Sequence, residues 1–230
     1  MIEGIKAVAF DIDGTLYPDW KLYVRIAGHF LRHIWFFHEY NEVRKELRRS
    51  APVADLFEYQ GRLMAHRLHI SIELAKRKVD EICYKALEPY FEHIAPYYQV
   101  YETIVSFKEA GLKIALFSDF PPEQKGDIWG LLPLCDVLLG SESAGALKPS
   151  PYSFGILAQK LELEPHEILY IGNSKKYDVG GANNAGMKSG YIMRGFRRIF
   201  NIPYKKADVS FRNYQELREI VLGSSKNHLE

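Results

Sequence analysis

The stretch Ala7-Val8-Ala9-Phe10-Asp11-Ile12-Asp13-Gly14-Thr15-Leu16, written AVAFDIDGTL, runs four apolar residues into two aspartates separated by one position. A short continuous apolar run stopped by Asp-Gly reads as a buried strand that ends in a loop. Two carboxylates at the end of a strand repel each other, and a divalent cation or a shared proton is the usual compensation. An ordinary Asp-Gly turn closes strands as well. A calcium loop of the EF-hand kind is excluded, because it needs an acid or amide at 15, Gly at 16 and Glu at 22, where the chain has Thr15, Leu16 and Leu22.

Outward from this strand the sequence changes character at Tyr17-Pro18. From about residue 20 to 88 no strand alternation appears, and apolar residues such as Ile26, Phe30, Ile34 and Phe37 recur at helical spacing. Beyond Pro89 and Pro96 the rhythm alternates. A helix near 99–110 precedes the strand KIALFSD at 113–119, and a helix is expected after Pro121-Pro122. DVLLG at 136–140, a helix near 151–161, EILYIG at 167–172, a helix near 178–186 and GYIM at 190–193 follow. Short apolar runs alternating with helices predict an α/β fold, a doubly wound Rossmann-like core with a parallel sheet covered on both faces. The helical block is read as an inserted all-helical domain, residues 18–95, with residues 1–17 and 96–230 forming the core. Hinges are expected near Tyr17-Pro18 and between Pro89 and Pro96.

The bulk numbers agree with this plan. A chain of 230 residues can bury a substantial core, and 47% hydrophobic with 26% charged residues is ordinary for a globular protein. The formal charge of +1, from 30 basic and 29 acidic residues, gives no global reason to expect nucleic acid or an anionic membrane as partner. Cys83 and Cys135 form no CxxC pair, so neither a disulfide framework nor a cysteine zinc site is suggested, and two buried thiols are expected. No signal peptide is apparent, and FLRHIWFF at 30–37 is too short and too charged to span a bilayer. A cytoplasmic protein is the expectation.

In doubly wound sheets the site lies beyond the carboxyl ends of the strands, and the polar candidates cluster there. Asp11, Asp13 and Thr15 follow the first strand, Ser118 ends the second, Lys148 lies in GALKPSP, and Asn173 and Asp178 lie in IGNSKKYDVGGANNAGM. Singly each has a plain explanation: a helix cap for Ser118 or Asp178, turn chemistry for Asp119, a solvated lysine for Lys148. Their joint placement argues for a shared role.

The order of hydrophobic strand, DxDGT, strand-terminal Ser, Lys-Pro and a GNxxxxD run leading to AGM resembles the haloacid dehalogenase (HAD) superfamily of aspartate-nucleophile phosphohydrolases. The four motifs span residues 7–187 in the expected order. The resemblance implies a helical cap inserted after the first motif, a magnesium ion (Mg2+) and hydrolysis of a phosphomonoester through an aspartyl-phosphate. By similarity Asp11 would be the nucleophile and Asp13 the acid and base, with its backbone carbonyl on the metal. Thr15, Ser118 and the backbone around Gly14 would hold phosphoryl oxygens, and Lys148 would neutralise charge. Asp11, Asp13, Asp178 and Asn173 would be the metal residues. The family's fourth motif usually begins Gly-Asp, but here it begins Gly172-Asn173, so Asp178 is the only acid of that loop and the preferred ligand. The implied partner is a small-molecule phosphomonoester, with no nucleic acid and no membrane.

A dehalogenase of the same family would have no use for Asp13, because a halide leaves without a proton. A phosphomutase or phosphotransferase uses the same parts, and a catalytically silent module with this fold is the reading from another class, with Asn173 as its sign. In the helical block, Arg44, Arg48, Arg49 and their basic neighbours interleave with Glu39, Glu42, Glu46 and Glu58, the pattern of a solvated helix face. Trp20, Trp35, Phe36 and Phe37 are expected to form the block's own core. His66 and His69 are three apart but lack a third ligand, and Lys175, Lys176 and Tyr177 read as exposed loop.

Overall fold

A computed structural model describes residues 2–223; residue 1 and residues 224–230, the ends of the expected core, lie outside it. The opening stretch forms the strand β1 (Ala7–Phe10), fully buried, at the centre of a six-stranded parallel sheet. β2 (Lys113–Ser118) and β3 (Val137–Gly140) extend the sheet on one side, and β4 (Ile168–Gly172), β5 (Lys188–Ile192) and β6 (Val209–Phe211) on the other. The order is β3-β2-β1-β4-β5-β6. Register is tight around β1, with Phe10 opposite Leu116 on β2 and opposite Ile171 on β4.

Side chains of β1 alternate between faces as the strand period requires. Val8 and Phe10 pack in one cluster with Ile104, Phe107, Tyr214 and Leu217, whereas Ala7 and Ala9 pack in another with Phe154 and Leu157. Burial on both faces explains why the strand reads as a continuous apolar run. The chain leaves β1 toward β2 and β3 and then returns to build β4 to β6, so its direction of growth switches at the β1/β4 boundary. A crevice opens there at the carboxyl ends of the strands.

Between β1 and β2 the chain is helical, with α1 (Asp19–Arg32), α2 (Ile34–Leu47), α3 (Leu56–Leu68), α4 (Ile72–Val79) and the short α5 (Glu88–Phe91). Asp55 and Ser71 cap α3 and α4 by accepting from the backbone amides of Glu58 and Leu74. Val43, Leu47, Leu56, Met64, Ala75 and Val79 are buried together, and Leu147 of the loop after β3 joins them. After this segment come α6 (Val100–Glu109) before β2 and α7 (Pro151–Leu161) between β3 and β4. The rest are α8 (Gly180–Asn184), α9 (Gly195–Ile199) and α10 (Tyr214–Leu222).

Several expectations need correction. The stripe Ile26, Phe30, Ile34, Phe37 is not one helical face, because the chain bends at His33 (φ −116°, ψ 26°) between α1 and α2. Trp20 and Trp35 are exposed, and only Phe36 and Phe37 enter the block's core. No α-helix follows Pro121-Pro122. Three 3₁₀ turns stand there (Pro122–Lys125, Ile128–Gly130 and Leu132–Leu134), separated where Gly126 and Gly130 take positive φ. The helix near 178–186 begins earlier, with a π turn over Lys175–Val179 that runs into α8. Cys83 is buried but Cys135 is only half-buried. Among the described residues no helix is long and apolar enough to cross a membrane.

Candidate active site

β1 delivers Asp11 to the crevice. Its backbone amide continues the ladder by donating to the Ile171 carbonyl at 2.9 Å, so the side chain is fixed just past the sheet's edge. One carboxylate oxygen accepts from the Thr15 hydroxyl at 2.7 Å, and the other accepts from the Lys148 ammonium at 2.7 Å. Lys148 also donates to Asp178 Oδ1 at 2.9 Å and to the Tyr170 hydroxyl at 3.1 Å. Burial works against charge on Lys148, but Asp11 and Asp178 outweigh it and hold the ammonium protonated, its pKa well above the ordinary value. Burial, only partly offset by Lys148, pushes Asp11 up to about 7, with Asp178 and Asp13 adding to the effect.

Asp13 faces a different set of donors. Tyr17 Oη donates to Oδ1 at 2.7 Å, Ser118 Oγ donates to Oδ2 at 3.0 Å, and the Lys125 ammonium lies 3.3 Å from Oδ2. Burial and then the Asp13 charge lift the Tyr17 pKa far above its ordinary value, so the phenol is the donor of that pair. Gly14 takes φ +79°, and a Cβ there would stand 2.1 Å from Asn173 Nδ2. The positive φ favours glycine there, and an added Cβ would displace the Asn173 amide. Asn173 Nδ2 then donates to the Asp13 carbonyl at 2.8 Å. A Cβ on Gly172 would likewise collide with Asp178, 2.2 Å from its Cβ.

The eight residues of the four strand-end motifs therefore meet at one place: Asp11, Asp13, Gly14, Thr15, Ser118, Lys148, Asn173 and Asp178. Their hydrogen bonds differ from the simplest picture. The Thr15 and Ser118 hydroxyls are turned onto the two aspartates. Asp178 is fully engaged, its Oδ2 accepting from the backbone amides of Asn173 (3.1 Å) and Ser174 (2.8 Å). Among the described residues no three His, Cys, Asp or Glu side chains cluster as a metal site. The oxygen-bearing groups at this place are the Asp11 carboxylate, the Asp13 carbonyl, which accepts from Asn173 Nδ2, and the Asn173 amide, with Asp178 on the far side of Lys148. Hard oxygen donors of this kind suit magnesium, which keeps several waters and needs only one or two carboxylates. Three carboxylates, Asp11, Asp13 and Asp178, face two ammonium groups, Lys148 and Lys125, so the site is short of positive charge, which fits a divalent cation.

Five further residues belong here. Tyr17, four after Asp13, was within reach of a sequence argument. Lys125 was not, because it arrives through the irregular turns after β2. Asp119 is more than turn chemistry: Oδ1 accepts from Ser141 Oγ at 2.7 Å and from the Lys148 amide at 3.0 Å, while Oδ2 pairs with Arg48. Arg44 is buried, donates to Glu142 and Gln60, and packs over Phe120; Arg48 stacks on Tyr177. The solvated-face reading therefore fails for these two arginines, because acids from the β2 and β3 loops face them. His66 and His69 are exposed, as are Lys175 and Lys176.

A cavity of about 740 Å³ opens from Asp13 and Lys125 into the helical segment, reaching α1 and α2. It joins the strand ends to the inserted helices.

The family model described as haloacid dehalogenase-like hydrolase matches residues 5–186. A glyceraldehyde 3-phosphate phosphatase of Methanopyrus kandleri is 29% identical over 206 residues, covering 83% of this chain and 85% of that protein. A phosphoglycolate phosphatase of Vibrio vulnificus is 27% identical over 233 residues, covering 97% and 99%. Among solved structures, a HAD phosphatase from Thermococcus onnurineus aligns over 96% of this chain and 99% of its own, with a TM-score of 0.63 and 25% identity.

Proposed function

The chain belongs to the haloacid dehalogenase-like hydrolases, and on that premise we propose that it is a magnesium-dependent phosphatase of small phosphorylated metabolites that works through an aspartyl-phosphate on Asp11. The observation that carries this reading is the division of labour between the two aspartates. Asp11 is locked onto Lys148 and Thr15, while Asp13, two residues on, faces the cavity. An acid at that second position serves a leaving group that needs a proton.

In the first step an Asp11 oxygen attacks phosphorus in line, the bond from phosphorus to the leaving oxygen breaks, and Asp13 donates a proton to that oxygen. A phosphoryl oxygen that accepts from Ser118 and Lys125 releases Asp13 Oδ2 from both, leaving it able to carry the proton. Tyr17 holds the other oxygen and fixes the carboxyl's orientation. In the second step Asp13 takes a proton from water, that water attacks phosphorus, and the bond to Asp11 breaks to give inorganic phosphate. Lys148 offsets negative charge on Asp11 and on the transferring group throughout. Asp11, the Asp13 carbonyl and Asn173 would hold magnesium, with Asp178 as a further candidate, and the bound ion supplies charge neutralisation at the phosphoryl oxygens.

We read residues 18–95 as the cap and residues 1–17 with 96–230 as the core, with closure over the site turning at Tyr17-Pro18 and between Pro89 and Pro96. The test is phosphate release from an aryl phosphate and a panel of alkyl phosphates, with magnesium and with chelator. Asp11→Asn is expected to lower the rate by at least about 10⁴-fold, the scale of removing a nucleophile. Asp13→Asn should lower alkyl phosphate turnover by about 10²–10⁴-fold and affect the aryl phosphate less, because its leaving oxygen needs the proton less. Absence of turnover from folded, magnesium-loaded protein across the panel would overturn the proposal.

A further inference from the structure

The cavity over the site is graded in polarity along its length. One wall is α1, whose Leu22, Ile26 and Phe30 recur at the spacing of one helical face and all line the space. The facing wall is α2, which contributes Phe37, then Tyr40 and Asn41, then Arg44 and Arg48. From Phe37 to Arg48 the helix advances about 16 Å at its ordinary rise, and along that path the lining changes from aromatic to cationic. The cationic end is the catalytic end, since Arg48 pairs with Asp119 beside Ser118.

Lys125 sharpens that end. Its side chain is 1% exposed and its ammonium makes no hydrogen bond. It sits 5.2 and 5.9 Å from the Phe91 and Phe120 ring centroids, with Asp13 as its ion partner. A buried ammonium in this state is completed by an anion that accepts from it. At the other end, Leu31 lines the cavity yet remains 67% exposed. Its apolar surface lies along the path a ligand would take outward.

Resting on the phosphatase reading above, we infer that the substrate is an amphiphilic phosphomonoester, the phosphate of a long-chain alcohol. Its head lies between Lys125 and Asp11, and its chain runs along α1 past Ile26 to the stacked rings of Phe30 and Phe37, with Leu31 beyond them. A leaving group of two or three carbons would touch only the cationic end and leave the space beyond it unfilled. Each methylene of a longer chain would bury against the α1 wall, and that burial is retained in the transition state.

The test is a series of linear alkyl phosphates from ethyl to octyl, with phosphoglycolate and glyceraldehyde 3-phosphate as polar comparators, in saturating magnesium. Chains of this length stay monomeric at low concentration, so the trend reports the cavity and not a lipid surface. The expected kcat/KM rises about two- to fourfold per methylene, at least about 60-fold from ethyl to octyl. Ile26→Asp and, should that variant misfold, Phe30→Ser should flatten the slope. A flat series in the wild type, or a polar comparator as best substrate, overturns the inference and leaves the phosphatase reading standing. Calorimetric titration with octylphosphonate and methylphosphonate separates the two claims. Preference for octylphosphonate of at least about 10²-fold without hydrolysis of any ester would sink the phosphatase reading and keep the amphiphile site, whereas no hydrolysis and no preference sinks both.

Discussion

At the ends of β1, β2, β3 and β4 the polar side chains answer one another across the width of four strands: Asp11 to Lys148 and Thr15, Asp13 to Tyr17 and Ser118, Asp178 to Lys148 and the Asn173 and Ser174 amides. The inserted helical segment, proposed above as the cap, is divided. Toward α3 and α4 it buries Met64, Val43 and Leu47 completely, but toward α1 and the start of α2 it leaves Leu31, Ile34 and Trp35 in solvent. The strand ends hold their polar side chains to one another on a rigid sheet, as chemistry requires, with the Lys125 ammonium left without a hydrogen bond. The cap has one half that buries its own apolar residues and another half in which Leu31, Ile34 and Trp35 stay exposed among the described residues. In the proposed reading chemistry and selectivity fall to different elements, joined at the seam where Arg44 and Arg48 meet Glu142 and Asp119.

The largest effect that would break this division is expected at the seam itself. Arg44→Met leaves Glu142 buried with the Tyr84 hydroxyl as its remaining side-chain partner, and burial already raises the Glu142 pKa. Removing one member of a buried pair costs about 3–5 kcal/mol, whereas replacing both by apolar residues is close to neutral. Urea unfolding should therefore show a marked loss for Arg44→Met and recovery in Arg44→Met with Glu142→Leu. Failure of the double variant to recover would mean that the pair sets the cap's position and does not merely satisfy its own burial.

Met64→Ala should come next, at about 2–5 kcal/mol for a fully buried methionine in the α3 cluster. The expected loss of stability would come with little change in kcat on an aryl phosphate, which needs the strand ends more than the cap. A large fall in kcat with only a small loss of stability would show instead that the two halves of the cap are coupled.

How far each region could be read from sequence follows the same division. The strands β1, β2 and β4 were legible because burial on both faces writes a continuous apolar run, and the site was legible because such runs stop at Asp11, Ser118 and Gly172-Asn173. The three residues of β6 and the helices α9 and α10 left no such signature and went unread. The turns after β2 looked helical from Pro121-Pro122 onward, but Gly126, Gly130 and Pro133 break the backbone before a full helix can propagate. Lys125, Arg44 and Arg48 owe their burial to residues from other parts of the chain. Local charge pattern marks all three as solvated, and only the fold sets Glu142 against Arg44 across 98 positions.

A smaller effect, with a pH signature, is expected at Asp119. Burial disfavours its charge, but Arg48, Lys148 and Arg44 outweigh burial and hold the carboxyl below its ordinary value of 3.8. The folded state therefore binds fewer protons here than the unfolded chain. The resulting stability is fully present above the ordinary value and is lost as pH falls through the depressed folded value. Asp119→Asn keeps an acceptor for Ser141 and the Lys148 amide but loses the ion pair with Arg48, a cost of about 1.5–3 kcal/mol at neutral pH. The gap between wild type and variant, followed by urea midpoints, should close as pH falls below 3.8. A gap that stays constant would assign the effect to shape and not to charge.

The smallest effect should be at Trp35, and it tests the open half of the cap most directly. The ring is 81% exposed, whereas its neighbour Phe36 is buried in the α3 side of the cap. Tryptophan and serine have similar helix propensities, and surface substitutions of this kind stay within about 0.5 kcal/mol. Trp35→Ser should leave the urea midpoint unchanged at every protein concentration. A loss above about 1 kcal/mol that grows with concentration would show that a second copy covers the ring in solution, because burial between copies enters apparent stability through mass action. A loss of that size independent of concentration would place the ring against its own chain, and the open half of the cap would then be a second core.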